Sequence, residues 1–149
     1  IACEPANNAT VKSGDGRQRL SVNNSTGEFG DYVVHINAMT TAGLTPEVAQ
    51  GYGIVRSNNV GLINLVVLKN SSEVGQDEPI KASVSLSAAN LTGQLKSVDV
   101  REIEDSTSIY YLGEVSVDDK ETINFDFDIL PEGDDRTLLV RFSHQFYTR

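Results

Sequence analysis

Apolar and polar residues alternate along most of the chain, and this pattern predicts β-strands. In TINFDFDIL (122–130), Ile123, Phe125, Phe127 and Ile129 alternate with polar residues. Successive side chains of a strand point to opposite faces, so one face is predicted to be buried and the other solvated. Six further segments are predicted to be strands: RLSVNN (19–24), DYVVHINAM (31–39), IKASVSLSA (80–88), KSVDVREI (96–103), SIYYLGEVSV (108–117) and TLLVRFSHQFY (137–147).

One segment is apolar on both faces, and another has the pattern of a helix. GLINLVVLK (61–69) contains only Asn64 and a final lysine as polar residues, which predicts a strand at the centre of a sheet. TPEVAQGYG (45–53) predicts one short helix. Thr45 can cap its start, the proline that follows suits the first helical position, and Glu47 suits the positive helix end. The glycines after it are expected to end the helix.

These elements predict an all-β fold. About eight strands, separated by turn residues at regular intervals, indicate an antiparallel β-sandwich of immunoglobulin-like architecture, with one short helix in a connection. A small β-barrel is the main alternative. Residues 27–31 are predicted to form a turn. We expect residues 1–18 to be a flexible N-terminal tether and residues 19–149 to be a single β-sandwich domain.

The net charge narrows the classes of partner. The chain has a formal charge of -9 and a pI of about 4.6. Such a surface repels the phosphates of nucleic acids and anionic lipids, and no run of lysine and arginine offers a local basic patch. We therefore expect no nucleic-acid partner. No apolar run approaches the roughly 18 residues of a transmembrane helix, so we expect no transmembrane span.

The sequence around the single cysteine indicates the cellular location of the protein. Cys3 follows isoleucine and alanine, as a cysteine does at the end of a bacterial lipobox, and a polar segment suited to a tether follows it. Cys3 is therefore the candidate for lipidation and for a membrane tether. The expected location is extracytoplasmic, in the periplasm or on a membrane as a lipoprotein. A cytosolic protein with a free thiol in its terminus is the alternative.

Polar residues near the predicted helix form the candidate site. His35 and Asn37 lie on one face of their strand, and Tyr52 and Arg56 follow the helix and can fold back over that face. One interpretation is a polar pocket beside a helix N-terminus. The other, which we favour, is structural. In it, His35 and Asn37 hydrogen-bond residues 40–53, and Arg56 pairs with Glu47 or Asp31.

Metal binding and catalysis have weaker support. His35 and Met39 share a strand face and His144 lies in the last predicted strand, a set that would suit copper, but the chain has no tract rich in histidine or methionine. We expect no metal and no cofactor. No recognised catalytic motif is present, and we predict that the protein is not an enzyme. The acidic pairs are interpreted as turn residues and solvated strand faces: Asp118 with Asp119, Asp126 with Asp128, and Asp134 with Asp135.

Four short segments keep a specific order and spacing: FGDY (29–32), HINA (35–38), LTPEVA (44–49) and YGIVRS (52–57). In these segments, and in the asparagine of the following strand, the chain resembles the bacterial family named domain of unknown function 4426. The resemblance implies export and a compact β-domain, and it implies no reaction. It marks as motif residues His35, Asn37, Leu44, Thr45, Pro46, Glu47, Tyr52, Gly53, Arg56, Ser57 and Asn64.

Three functions remain open at this point. The first is a non-catalytic interaction or accessory module that binds an unknown protein or peptide through a sheet face or an edge strand. The second is a small-ligand or metal-binding domain with a polar pocket around His35, Asn37, Tyr52 and Arg56. The third is an enzyme of unrecognised type. The candidate interaction residues are His35, Asn37, Thr45, Glu47, Tyr52, Arg56, Ser57 and Asn64.

Overall fold

The computed structural model describes residues 10–12, 18–22, 26–70 and 77–148, which form two β-sheets with a shared core. The described strands are β1 (Thr10–Lys12), β2 (Gln18–Val22), β3 (Thr26–Phe29), β4 (Tyr32–Thr40), β5 (Val60–Lys69), β6 (Glu78–Pro79), β7 (Ala82–Asn90), β8 (Leu95–Lys96), β9 (Val100–Asp105), β10 (Ser108–Ser116), β11 (Glu121–Pro131) and β12 (Leu138–Phe146). A short 3-10 helix (Thr41–Gly43) and the α-helix α1 (Pro46–Tyr52) lie between β4 and β5.

The order of the strands is that of an immunoglobulin-like sandwich. The first sheet has the order β3-β4-β5-β10-β9, with β6 also paired to β5, and the second has the order β1-β2-β12-β11-β7-β8. If β4 is taken as the first strand of an immunoglobulin domain, the sheets β4-β5-β10-β9 and β12-β11-β7-β8 reproduce its two-sheet arrangement. Strand β2 adds to the second sheet by parallel pairing with β12. The predicted β-sandwich is confirmed.

The core follows from the alternation in the long strands. Ile123, Phe125, Phe127 and Ile129 of β11 are each at most 1% exposed and belong to one buried cluster with inner residues of β4, β5 and β12. Strands β4, β7 and β12 also bury alternate residues, as expected for their predicted strand pattern. Strand β5 lies between β4 and β10, as its apolar sequence predicts.

Tyr111 is an aromatic residue of this core with a specific polar contact. Its hydroxyl accepts a hydrogen bond of 2.8 Å from the backbone N–H of Ala82, which joins β10 in one sheet to β7 in the other. Burial raises the pKa of Tyr111 to about 12. The phenol therefore stays neutral and holds the start of β7 against the core.

Short strands are the main departure from the sequence prediction. The predicted turn at residues 27–31 is wrong, because Thr26–Phe29 forms β3 and pairs with β4, so that only Gly30 and Asp31 make the turn. The predicted strand 96–103 is divided into Leu95–Lys96 (β8) and Val100–Asp105 (β9), which belong to different sheets. Such strands of two to six residues carry too few positions for a clear period.

The N-terminal part of the chain is described only in pieces. Thr10–Lys12, inside the predicted tether, forms β1 and pairs with β2. Cys3 lies outside the described residues, and so does its candidate lipidation. Within the ranges that the structure describes, no helix is long and apolar enough to cross a membrane.

Candidate functional site

The connection between β4 and β5, residues 41–59, carries α1 and forms the outer layer of the first sheet. Thr45 caps α1 as predicted, because its Oγ1 accepts a 3.2 Å hydrogen bond from the backbone N–H of Val48. Pro46 occupies the first helical position, and Gly53 ends α1 with a left-handed φ of 70°. The predicted helix is confirmed, with its boundaries fixed by local sequence signals.

Thr41 holds this connection in place. It is the one buried polar residue among those described, with 0% exposure. Its Oγ1 accepts a 2.7 Å hydrogen bond from the backbone N–H of Ser57 and lies 3.1 Å from the carbonyl oxygens of Val55 and Ser57. A single hydroxyl therefore joins the two ends of the connection. Nothing in the sequence distinguishes Thr41 from the neighbouring Thr40, so its role is visible only in the fold.

The connection covers the sheet through a second, smaller apolar cluster. Ala49 of α1 and Ile54 after it pack with Leu62 of β5 and Leu112 of β10, all at most 6% exposed. Leu44, Tyr52, Ile103 and Tyr110 pack around this cluster. The outer face of the first sheet is therefore partly covered by the connection instead of being open to solvent.

His35 and Asn37 do not contact this connection through side-chain hydrogen bonds. His35 Nδ1 lies 3.0 Å from Thr26 Oγ1, so its partner is in β3. Asn37 is exposed and lies directly opposite Asn64 on β5. The structural interpretation is therefore wrong for the partner of His35, which is Thr26 of β3 and not a residue of 40–53.

Arg56 binds the connection, but through a different partner from the one predicted. Its guanidinium donates a 3.1 Å hydrogen bond to the carbonyl oxygen of Ala42, not to a carboxylate of Glu47 or Asp31. The backbone of Ser57 is bound to Thr41 and Ala42. Arg56 and Ser57 thus join the end of the connection to its start.

Tyr52 lies at the other end of α1. Its ring is 6.3 Å from that of Tyr110, and its carbonyl oxygen accepts a 2.5 Å hydrogen bond from Arg101. Burial, followed by the nearby Tyr110 and Asp105, raises the pKa of Tyr52. Since Tyr110 lies two strands away from His35 in the sheet, Tyr52 and His35 belong to separate parts of this face.

The predicted site residues are therefore distributed along one face without forming a common polar pocket. Thr45, Glu47, Tyr52, Arg56 and Ser57 belong to the connection, whereas His35, Asn37 and Asn64 belong to the sheet beside and below it. Asn64 is the unusual member of this set. Its Oδ1 is buried and has no hydrogen-bond partner in the described structure.

A cavity of about 250 Å³ lies beside α1 on the same face. It is lined by Ser97, Asp99, Arg101, Leu112 and Glu114. None of these residues was predicted to belong to a site, because they come from two strands and a loop whose pairing is visible only in the fold. The weak alternation of residues 96–103 was the only local indication of unusual structure there.

Metal-ligating residues are dispersed in the described part of the chain. No group of three or more histidine, cysteine, aspartate or glutamate side chains comes together there. His144 is on β12, where its ring packs between those of Phe142 and Phe146, with centroid distances of 6.3 and 4.7 Å. Burial lowers the pKa of His144.

The acidic residues of β11 are paired, which corrects their interpretation as a merely solvated face. Asp126 accepts two hydrogen bonds, of 2.6 and 2.9 Å, from the guanidinium of Arg141. Asp128 pairs with Arg19 at 2.8 Å. These contacts join β11 to β12 and β2, so both carboxylates have a structural role in the second sheet.

Together, the fold and this face define an immunoglobulin-like β-sandwich with a helix-bearing connection over one sheet. The model of a family described as Domain of unknown function (DUF4426) matches residues 26–149, and the chain belongs to this family. A crystal structure of a DUF4426 family protein from Pseudomonas aeruginosa PAO1 is similar, with a TM-score of 0.68 and 29% sequence identity over 82% of this chain and 93% of that chain. A comparison with curated proteins returned no match. The predicted family resemblance is confirmed.

Proposed function

We propose that the protein is an exported, non-catalytic interaction module that binds a partner protein through the β4–β5 connection. The observation that carries this proposal is the combination of a fixed backbone and exposed apolar side chains in one loop. Thr41 joins the ends of the loop, and α1 anchors its centre to the sheet. Val48 and Val55 are nevertheless 42% and 81% exposed.

A fixed apolar surface of this kind favours binding for two physical reasons. Burying an exposed valine against a partner removes apolar area from water. Because the loop is already ordered by its own contacts, little conformational entropy is lost when it binds. Met39, at 39% exposure, lies against Gly43 of the same connection and extends the apolar surface.

The edge strand β9 is a poorer candidate for binding. It exposes Arg101, Glu102, Glu104 and Asp105, and charges of this kind on an edge strand discourage pairing with another strand. Lys81 pairs with both Glu102 and Glu104. We therefore place the interaction on the connection and not on the edge of the first sheet.

Export is supported by the sequence around Cys3, which resembles the end of a lipobox. In this proposal the protein acts outside the cytoplasm, and a lipid on Cys3 would tether it to a membrane. Fractionation of cells that express the complete gene, with the Cys3→Ser variant as control, tests this part. Recovery of both forms in the cytosol would contradict it.

Site-specific photo-crosslinking tests the interaction surface. A photoreactive phenylalanine analogue is placed at Val48 or Val55 in the producing cells, and at Ser85 and Ser87 as controls. These two serines are exposed on the outer face of the second sheet. We expect a discrete crosslinked partner from the two connection positions and none from the controls.

The specificity of that crosslink needs a second variant. Val55→Asp places a charge on the proposed surface without touching a buried residue, and it should strongly reduce crosslinking from position 48. The proposal is wrong if all four positions give the same products, or if Val55→Asp leaves the crosslink from position 48 unchanged.

A further inference from the structure

We propose that the free edge of strand β4 pairs with an extended segment of the partner protein. The free edge is the side of residues 36–40 that faces away from β5. This inference rests on the proposed function, because it names the conformation and the chemistry of a segment that lies next to the β4–β5 connection. It starts from a difference in length between two paired strands, since β4 has nine residues and β3 has four.

Strand β3 covers only the first part of β4. Its first residue, Thr26, lies opposite His35, whereas β5 pairs with β4 as far as Thr40. Among the residues that the structure describes, no strand pairs with the free edge. The second half of β4 is therefore an edge strand, although its first half lies inside the sheet.

The direction of the backbone groups on the free edge follows from the pairing of β4 with β5. The backbone N–H of Asn70, the residue after β5, donates a 2.7 Å hydrogen bond to the carbonyl oxygen of Asp31, the residue before β4. In an antiparallel pair, alternate residues bond the same neighbour, so the odd-numbered residues from 31 to 39 face β5. Ala38 and Thr40 therefore direct their N–H and C=O groups to the free edge.

The burial of β4 also changes where β3 ends. On the inner face, Tyr32, Val34 and Ile36 are at most 8% exposed, whereas Ala38 is only half-buried. Alanine is also the smallest of these four side chains. A larger apolar side chain on an added strand can therefore pack beside Ala38 at the rim of the core.

The second sheet ends at the same flank of the sandwich. Strand β2 pairs with β12 no further than Phe142, and His144, which follows on the same face of β12, is half-buried. Gly61, which lies opposite Thr40, is so close to Phe146 that a Cβ would lie 2.7 Å from its ring. The last residues of β4 and β12 are thus at one level. In the described structure, neither sheet extends beyond these two strands there.

The free edge has none of the features by which proteins prevent the pairing of edge strands. Charged side chains and proline are the usual protection, and residues 36–40 include neither. At the opposite edge of the same sheet, four of the six residues of β9 are charged. This contrast indicates that β9 is protected against pairing, whereas the second half of β4 is open to it.

An extended segment of a partner fits this edge better than a second copy of the chain does. Two copies each carry a charge of -9 and repel each other, and the same charge favours a segment without acidic residues. Met39, on the outer face of β4, lies against Gly43, so the segment continues the apolar surface of the connection. We therefore specify a segment with apolar residues at alternate positions and no acidic residue.

Titration of the isotope-labelled full chain with a strand-forming peptide, followed by amide NMR, tests the inference. The probe is acetyl-KTVTVTVTK-amide, and the matched control is acetyl-KTVTPTVTK-amide, whose proline interrupts the strand. With the first peptide only, we expect saturable shifts at residues 36–40 and slower amide exchange at Ala38 and Thr40. The absence of saturable shifts, or protection confined to β9 or to β12, would overturn the inference.

Thr40 offers a matched pair of variants. Its φ of -76° is already that of proline, and its N–H faces the free edge, so Thr40→Pro removes a donor without breaking the pairing with β5. This variant should bind the first peptide about ten-fold more weakly, because one hydrogen bond is lost. Thr40→Val keeps the N–H and should bind like the wild type. Equal weakening by both variants would overturn the inference. The two peptides compare binding to the wild type alone, so they decide the question even where Thr40→Pro does not fold.

Three outcomes separate this inference from its alternatives. If crosslinking from Val48 and Val55 succeeds and Thr40→Pro leaves it unchanged, the interaction module stands and the strand pairing is wrong. If the peptide binds the free edge and no partner crosslinks from either valine, the proposed function fails at the connection while pairing at the free edge stands. A dimer in sedimentation velocity that Thr40→Pro dissociates would assign the free edge to a second copy and reject a partner segment.

Discussion

At the scale of single residues, three polar side chains of the candidate face are bound to backbone atoms distant in sequence. Arg56 binds the carbonyl oxygen of Ala42, Arg101 binds that of Tyr52, and Thr41 binds both ends of the connection. Such partners are distant in sequence, which is why residue type and spacing alone did not identify them. His35 shows this clearly, since its partner Thr26 lies in no element that the sequence predicts.

Thr41→Val should destabilise the domain without changing its shape. Valine has nearly the volume of threonine, but it leaves the backbone N–H of Ser57 without its 2.7 Å partner in a buried site. We expect a loss of about 1–3 kcal/mol in the free energy of unfolding, measured by urea denaturation. Thr41→Ser keeps the hydroxyl and should lose less. A larger loss in the serine variant would contradict this role of the hydroxyl.

His144 should make the domain less stable in mild acid. Burial lowers its pKa below the ordinary 6.5, so the unfolded chain binds a proton more readily than the folded chain. Stability from this group is therefore complete above pH 6.5 and falls as the pH decreases from there through the lowered folded-state pKa. Thermal unfolding between pH 7.5 and 5.5 measures the effect. His144→Phe should flatten this part of the profile, and an unchanged slope would assign it to other groups.

At the scale of elements, sequence predicted the long strands well and the short ones poorly. Strand β11 has eleven residues, and its alternation gives both its existence and its inward face. Strands β6 and β8 have two residues each, so no period can be recognised. The helix α1 was found despite its length, because its start and end have specific residues.

Two glycines at the C-terminal end of α1, one inside the helix and one just after it, should respond in opposite ways to alanine. Gly53 has a φ of 70°, which a residue with a Cβ adopts at a cost, so Gly53→Ala should destabilise by about 1 kcal/mol. Gly51 is within the helix with open space around its Cα, so Gly51→Ala should stabilise by up to about 1 kcal/mol. Chemical denaturation of both variants gives the comparison. A shift in the same direction for both would contradict this account of the helix end.

At the scale of the whole molecule, the excess of negative charge opposes folding, whereas specific ion pairs join strands. The net charge of -9 opposes the compact state through self-repulsion, while the pairs of Arg141 with Asp126 and of Arg19 with Asp128 join strands of the second sheet. The sequence predicted the charge but not these pairs. They depend on the parallel addition of β2 and on the register of β11 with β12.

Added salt should therefore stabilise the protein. Screening weakens repulsion across the whole surface, whereas the bidentate pair of Arg141 and Asp126 is partly shielded from ions, with side-chain exposures of 31% and 25%. We expect the melting temperature to rise between about 10 and 300 mM sodium chloride, over which the screening length shortens several-fold. A fall over this range would show that exposed ion pairs outweigh repulsion.

The parallel pairing of β2 with β12 determines how the domain bears a mechanical load. Force applied to the two ends of the chain pulls β2 and β12 along their lengths in opposite directions, because the strands run the same way. Their hydrogen bonds must then break together, whereas the antiparallel hairpin of β1 and β2 opens one pair at a time. A protein with this geometry can lose β1 under tension and still keep its sandwich closed.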